Sequence, residues 1–276
     1  MGRSIIGVMS SRPGRRAYLL ITLFALALVL LPFLFWYSTW FGRKLSDADL
    51  DQYFADASKP RHVQHALVQV GERLSHGQDA ARWFPQVVRA SENSGIEIRQ
   101  TAAWIMGQDR KYEPFHEALR KLMGDPEPMV RRNAALSLAA FGDAAARPEL
   151  VAMLRPYTVT APAAGVVRYR LKLGEYVNPG TMIAHIDRRE VRSPVPGEVR
   201  ALDKSDGAAI SQGEALADLS ADQHHVWEAL RALVIVGQTP DLEDVQRYTH
   251  PVPGMPAKVM RQAQETAQAI EARKAE

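Results

Sequence analysis

The sequence predicts an α+β protein of 276 residues that joins three kinds of segment. Residues 17–41 form an uncharged apolar stretch, residues 46–155 carry a helical repeat, and residues 157–220 carry a duplicated pattern rich in Val, Gly and Pro. We therefore expect an N-terminal transmembrane helix, an α-solenoid of helix pairs, and a small all-β module inserted before further helices at 221–276.

The apolar stretch at 17–41 predicts a membrane anchor. Its 25 residues would span about 37 Å as a helix at ~1.5 Å per residue, more than a hydrocarbon core of about 30 Å. Trp36, Tyr37 and Trp40 lie where an aromatic belt is expected. The arginine-rich residues 1–16 are then cytoplasmic, the helix crosses the inner (cytoplasmic) membrane once, and the bulk of the chain is periplasmic or otherwise extracytoplasmic. A cleaved signal peptide and a twin-arginine export signal are the alternatives.

Residues 46–155 carry the helical repeat. In its clearest copy, residues 125–154, the apolar side chains of Val130, Ala134 and Leu138 recur at the spacing of one helical turn and predict one buried stripe. Helix pairs that repeat with a period in the thirties stack into a solenoid, in which each pair packs on its neighbours.

Earlier copies of the repeat support this interpretation. IEIRQTAAWIMGQ at 96–108 aligns with residues 128–142, with Arg99 and Arg131 equivalent 32 positions apart. A looser copy occupies residues 61–74. Through the pattern DPEPMVRRNAALSLAAFGD the segment resembles HEAT repeats of the short, lyase-like type. The resemblance implies stacked helix pairs that offer an extended binding surface.

Residues 157–220, which we call the β-module, predict a duplicated β fold. APAAGVV at 161–167 matches SPVPGEV at 193–199, and YVNPGTMIAHI matches AISQGEALADL, at offsets of 32 and 33 residues. Alternation in VVRYRLKL at 166–173 predicts a strand with one apolar and one basic face. The pattern, used twice, resembles the barrel-sandwich hybrid of biotinyl and lipoyl domains and of bacterial periplasmic adaptor (membrane-fusion) proteins.

A biotin or lipoyl carrier would present a lysine at the hairpin between the two halves. Here only residues 187–190 lie at that hairpin, and none of them is lysine. Arginine stays protonated and cannot act as the acylation nucleophile. Lys204, after Asp203, resembles the lipoyl Asp-Lys pair but lies inside the second half, where we expect an ordinary loop lysine. We therefore expect no covalent cofactor.

Residues with metal or catalytic chemistry are sparse. The chain has no cysteine, which excludes thiolate metal sites and thiol nucleophiles. His62 and His65 share a helix face, and His224 and His225 are adjacent, but neither pair comes with a ligand motif. We expect no metal site and no catalytic residues.

The basic stripe of the predicted strand is the candidate interaction site. Arg168, Arg170 and Lys172 alternate with apolar residues and therefore share one face. A contact with an acidic partner or with lipid headgroups is the functional interpretation, and a solvated strand face is the alternative.

Two capping boxes are expected, each at the N-terminus of a helix. Ser46 with Asp49 predicts one, and Ser220 with Gln223 predicts another before the helix at 226–237.

Together these features predict a non-enzymatic, membrane-anchored scaffold or adaptor. Its expected partner is an integral membrane protein or membrane complex, within a transport assembly such as an efflux system. Adaptors place a long coiled hairpin between the two halves, and this chain lacks one, so an accessory subunit of a respiratory or other membrane complex is the alternative. A biotin or lipoyl carrier and a lyase-like enzyme acting on a chromophore are less favoured. A net charge of +3 without charge blocks gives no reason to expect nucleic acid.

Overall fold

The structure is a computed structural model, and its contacts divide the chain into two compact units, Met1–Asp49 and Leu50–Glu276. It describes residues 15–39, 44–56 and 58–275, with side chains described for 19–34, 44–56 and 58–274. The predicted division at 46–155, 157–220 and 221–276 stays a prediction, because the contacts do not separate these segments.

Helix α1, Arg15–Thr39, belongs to the first unit and contains Pro32. No helix in the described part of the chain is long and apolar enough to cross a bilayer. The transmembrane helix predicted over 17–41, and the single-pass inner-membrane location derived from it, are therefore wrong. The prediction counted Trp40 and Phe41 in the span, and both lie outside the described residues.

Other parts of the anchor prediction lie outside the described residues as well. The cytoplasmic segment predicted at 1–16 is described only from Arg15 onward, and the aromatic belt falls on undescribed side chains of Trp36 and Tyr37. The capping box at Ser46 is confirmed, because Asp49 N donates to Ser46 Oγ at 3.2 Å and Ser46 N donates to Asp49 Oδ2 at 3.1 Å.

Short helices dominate the rest of the chain. They are α2 Asp47–Ala55, α3 Pro60–Ser75, α4 Phe84–Ala90, α5 Ile96–Met106, α6 Glu113–Leu122, α7 Pro128–Ala140, α8 Arg147–Met153, α9 Gln223–Val236, α10 Leu242–Gln246 and α11 Ala257–Ala275.

Helices α3, α5, α7, α9 and α11 pack in sequence, each against the next, and we call this arrangement with its intervening helices the helical array. The predicted stripe of α7 is confirmed, because Val130, Ala134 and Leu138 are fully buried. Hydroxyl groups tie neighbouring helices together: Ser137 Oγ donates to Ala103 O at 2.8 Å, from α7 to α5. A Cβ added to Gly107 would lie 2.5 Å from Ser137 Oγ, so glycine permits this close approach.

The β-module forms two four-stranded antiparallel sheets. Its strands are β1 Tyr157–Thr160, β2 Gly165–Tyr169, β3 Tyr176–Val177, β4 Met182–Ile186, β5 Arg189–Arg192, β6 Gly197–Leu202, β7 Ala209–Ile210 and β8 Ala215–Leu219. One sheet has the order β1-β8-β6-β3 and the other β5-β4-β2-β7.

The two sheets have the same strand order once each strand is replaced by its equivalent in the other half. Thus β1 corresponds to β5, β2 to β6, β3 to β7 and β4 to β8. Strand β3 of the first half pairs with β6, and β7 of the second half pairs with β2, so the halves exchange strands. Apolar residues of both halves fill one shared core, with Met129 of α7 packed against it.

Two sequence-based details of this region are wrong. The strand predicted at 166–173 ends at Tyr169, and Leu173 is 62 % exposed rather than turned inward. The N-cap of α9 is Asp222, whose carboxylate accepts from the backbone N–H groups of His224 and His225. Ser220, the predicted cap, instead accepts from Glu198 N through its Oγ at 3.1 Å.

Candidate interaction surface

The predicted stripe of Arg168, Arg170 and Lys172 is exposed along its length. Only Arg168 lies in β2; the other two follow its end, although Arg170 N still donates to Ile183 O at 2.9 Å. Arg168 forms one long ion pair, 3.4 Å from Nη1 to Asp206 Oδ2.

Strand pairing extends this stripe across the sheet. Arg168 of β2 lies opposite His185 of β4, and His185 lies opposite Glu190 of β5. Arg192, two residues along β5, also points outward, and its guanidinium pairs with the Glu190 carboxylate. Side chains two residues apart on a strand share a face, so these groups form one surface.

The β4–β5 turn adds Arg188 to this surface. We call the combined surface the basic face: Arg168, Arg170, Lys172, His185, Arg188 and Arg192. Its acidic members are Asp187, Glu190 and Asp206. The sequence pattern indicates only Arg168, Arg170 and Lys172, because the other cations join them through the register of β2, β4 and β5.

The β4–β5 hairpin is tighter than the sequence indicated. Ile186 pairs with Arg189, so only Asp187 and Arg188 form the turn. Asp187 has a φ of 51°, in the left-handed region that turns of this kind require. Its backbone N–H donates to Val166 O, and its Oδ1 accepts from Val166 N, both at 3.0 Å. The hairpin is therefore bonded back to β2 and presents no lysine.

Lys204, the other carrier candidate, lies in the loop after β6. Its ammonium lies 3.3 Å from Glu214 Oε2, and its side chain is 33 % exposed. Lys204 is thus an ion-paired loop lysine, and neighbouring Asp203 has its pKa raised by burial and by Asp218.

The β-module leaves the helical array after α8 and returns to it at α9, and these two helices pack against each other. Two ion pairs bind the helices on either side of the insertion. Arg147 donates to Asp241 through Nε at 2.7 Å and Nη2 at 2.9 Å. Arg155 donates to Asp244 through Nε at 2.8 Å and Nη2 at 2.6 Å. Arg155 lowers the pKa of Asp244 through these bonds.

A buried polar cluster joins the array to the β-module. Arg132 of α7 is 5 % exposed, and its Nη1 donates to His225 Nδ1 of α9 at 2.9 Å. Burial, reinforced by the Arg132 charge, lowers the pKa of His225 to about 4. His225 is therefore neutral at pH 7 and accepts at Nδ1.

Asp222 links this cluster to strand β3. Burial opposes its ionisation, but the His225 N–H and the Tyr176 hydroxyl more than compensate, so its pKa stays below the ordinary value. Tyr176 Oη donates to Asp222 Oδ2 at 2.7 Å. Burial and this bond raise the pKa of Tyr176 to about 12. The cluster positions the module against the helices.

Neither histidine pair belongs to a larger group of potential metal ligands among the described residues. His62 stacks on Tyr53 with ring centroids 4.1 Å apart, and His65 is buried. Among the described residues, no group of three or more His, Cys, Asp or Glu side chains is arranged to hold a metal ion.

Two open clefts accompany these features. One of about 500 Å³ is lined by the α5–α6 loop and the end of α7, including Arg110, Lys111 and Phe141. The other, of about 390 Å³, lies where Tyr176 and Arg200 of the β-module approach the loop at 252–255.

Comparison with known proteins identifies part of this architecture. Residues 83–165 match the family model described as HEAT repeats. The match covers the two clearer copies of the repeat, so HEAT repeats are confirmed there. The chain is also 38 % identical over 80 residues to the protein named "Uncharacterized protein YqeB" of Escherichia coli (strain K12). That similarity covers 27 % of this chain and 15 % of the relative, so it spans only a small part of YqeB.

Proposed function

We propose that the chain is a non-enzymatic scaffold in which HEAT-like helices hold the β-module in place for protein–protein contacts. In this proposal the β-module is a biotinyl/lipoyl-like barrel-sandwich hybrid. The two interlocked halves, their shared core and their equivalent strand orders support that fold assignment.

One observation carries the proposal: the β-module is inserted between two helices that pack directly on each other. A carrier domain needs freedom to swing, which a flexible linker provides. Here the module lies directly between α8 and α9 without such a linker. Arg147–Asp241 and Arg155–Asp244 tie the α8 side of the insertion to the 3-10 turn and to α10, which follow α9. A module held in this way presents a surface with fixed orientation.

The hairpin tip supports the same conclusion. Its two turn residues, Asp187 and Arg188, offer no nucleophile for a biotinyl or lipoyl group, and Lys204 is ion-paired elsewhere. Solenoids of helix pairs generally act by binding other proteins along their extended surface. The scaffold therefore combines two binding elements, the helical array and the β-module. That the partner is an integral membrane protein stays a prediction, as does the absence of enzymatic activity.

Affinity purification tests the scaffold function. Tagged full-length protein, expressed in its native cell, is purified beside a variant in which a Gly/Ser linker replaces residues 157–220, and co-purifying proteins are quantified by mass spectrometry. We expect at least one stoichiometric partner with the full chain and its loss with the linker variant. A partner set that is unchanged by the replacement would refute a binding role for the β-module.

Two controls accompany this variant, one for the rest of the β-module surface and one for the helical array. The variant Arg200→Glu changes one exposed residue of the β-module outside the basic face, and we expect it to retain the partner. Circular dichroism of the linker variant should still show the helical signal, since α8 and α9 remain able to pack.

A further inference from the structure

The two halves of the β-module provide an internal comparison of what the fold requires. Ile183 and Leu216 are equivalent and fully buried, and so are Ile186 and Leu219. Both halves thus place similar apolar side chains into the same core. The requirements of folding are nearly the same in the two halves.

The charges of the two halves differ although their cores match. Residues 161–192 contain six Lys or Arg and three Asp or Glu, whereas residues 193–220 contain two and five. His185 on the basic face corresponds to Asp218 on the other sheet. Because the same core is built with opposite surface charge, the core does not dictate the basic charge of the first half.

Several of these cations have no charged partner in the part of the chain that the structure describes. Arg170, Lys172 and Arg188 are exposed and form no ion pair there. They surround the Arg168–His185–Glu190 row on two sides, at the end of β2 and at the β4–β5 turn. These three charges remain available for groups of another molecule.

The pattern of the basic face favours a protein over a uniform polyanion. Glu190 and Asp206 lie among the cations and would repel the evenly charged phosphates of a nucleic acid or an anionic bilayer. Arginine, the main cation here, pairs with carboxylates through its planar fork of donors. Arg168 and Arg170 lie where the chain still bonds to β4 through Arg170 N, and two residues of an extended chain are separated by about 6.7 Å, which matches alternate side chains of an extended peptide.

We propose that the basic face binds an acidic segment of a partner protein, in which carboxylates at alternate positions meet Arg170, Lys172 and Arg188. This proposal rests on the scaffold function and names the chemistry of the partner. The segment lies across β2 and the β4–β5 turn, and its uncharged positions face Glu190 and Asp206.

Fluorescence anisotropy with a defined probe tests this directly. Full-length protein is titrated into a labelled peptide of about twelve residues that alternates Glu and Ser, with a Gln-Ser peptide as its neutral match. We expect binding of the Glu peptide that weakens with added salt. The triple variant Arg170→Glu, Lys172→Glu, Arg188→Glu should weaken it at least about tenfold, since three exposed charge pairs are reversed.

The control variant is Arg200→Glu, because Arg200 is the equivalent of Arg168 in the second half and lies on the other sheet. Its affinity for the Glu peptide should change by less than about twofold. Equal binding by the triple variant, absence of binding by the unmodified protein, or an equal effect of Arg200→Glu would each overturn the proposal.

Two further titrations address the other anions. A single-stranded DNA of similar length and vesicles containing phosphatidylglycerol are compared with the Glu peptide at the same salt concentration. Tighter binding of either one through the same residues would replace the acidic protein segment as the ligand. If co-purification requires the β-module but the triple variant binds the peptide normally, the scaffold function stands and the basic face is refuted as its contact.

Discussion

Leu138 shows how a single buried side chain supports the helical array. It is fully buried in α7, and a carboxylate at a buried apolar position loses its hydration. We expect Leu138→Asp to lower the free energy of unfolding by at least about 3 kcal/mol, a large share of the ~5–15 kcal/mol of a typical domain. Chemical denaturation measures this loss. Leu173→Asp, at a residue that is 62 % exposed, is the matched control and should have little effect; equal losses would show that burial does not set the cost.

His225 predicts how stability depends on pH. Its pKa is lowered from the ordinary 6.5 to about 4 in the folded chain, mainly by burial. Below pH 6.5 the His225 imidazole takes up a proton in the unfolded chain but not in the folded chain. The stability that neutral His225 permits is therefore fully present above pH 6.5, and it is lost as the pH falls toward 4. We expect the free energy of unfolding to decline across this window and His225→Gln to decline less. The carboxylate of Asp143 also stabilises the folded chain, but its pKa is lowered to about 2, so its stabilisation is lost only below the pH window of His225. Parallel curves for both proteins would contradict the assignment.

Asp222 shows how much a single capping residue contributes to the stability of α9. Its carboxylate caps α9 and accepts from Tyr176, so Asp222→Ala should reduce the free energy of unfolding by about 1–2 kcal/mol. Gln223→Ala, at the exposed residue first assigned to the capping box, should change it by less than about 0.5 kcal/mol. Urea denaturation of both variants measures the two losses in the free energy of unfolding. A larger loss for Gln223→Ala would restore the capping box predicted at Ser220 and Gln223.

At the scale of elements, the ion pair between α8 and the 3-10 turn at Thr239–Asp241 stabilises the join around the insertion. Arg147→Ala would leave the buried Asp241 carboxylate, 8 % exposed, without its cation. We expect a loss of about 2–4 kcal/mol in thermal or urea denaturation. Arg200→Ala removes a more exposed pair with Glu198 and should cost less than about 1 kcal/mol. A cost no larger than that of the control would mean that other contacts hold these helices together.

The elements also show how far the sequence was informative. The buried face of α7 followed from the spacing of Val130, Ala134 and Leu138, because helical periodicity is local. The end of β2 did not follow, because the alternation continues to Leu173 while pairing with β4 stops earlier. The anchor was predicted from the length and apolarity of residues 17–41 with their aromatic and arginine-rich flanks, and no described helix is long and apolar enough to cross a membrane.

The basic face was predictable only in part, because strand pairing, unlike local periodicity, is not visible in the sequence. The sequence predicted Arg168, Arg170 and Lys172 together from strand periodicity, although β2 ends at Tyr169. Arg188 and Arg192 join them through the register of three strands, a long-range property that a linear pattern does not contain. The cap of α9 is local, because Asp222 accepts from His224 N and His225 N. An aspartate directly before the helix was therefore a signal that the sequence contained and the choice of Ser220 missed.

At the scale of the whole molecule, the absence of an attached cofactor is a direct prediction. The β4–β5 turn contains no lysine, and Lys204 is paired with Glu214. The intact mass of protein purified from its native cell should equal that of the unmodified chain. A mass increase that matches a biotinyl or lipoyl group, located by peptide mapping, would restore the carrier hypothesis.

The pairing of β1 with β8 has a consequence for synthesis of the chain. Tyr157 lies opposite Leu219, so the first and last strands of the β-module meet only after the whole insertion has left the ribosome. Helices α3 to α8 depend on near neighbours in sequence and fold early, whereas pairings between distant segments form slowly. The nascent array therefore ends at α8 with an open apolar surface until α9 arrives. During that interval the exposed end of α7 and α8 is the part of the chain most open to chaperones and to association with other copies.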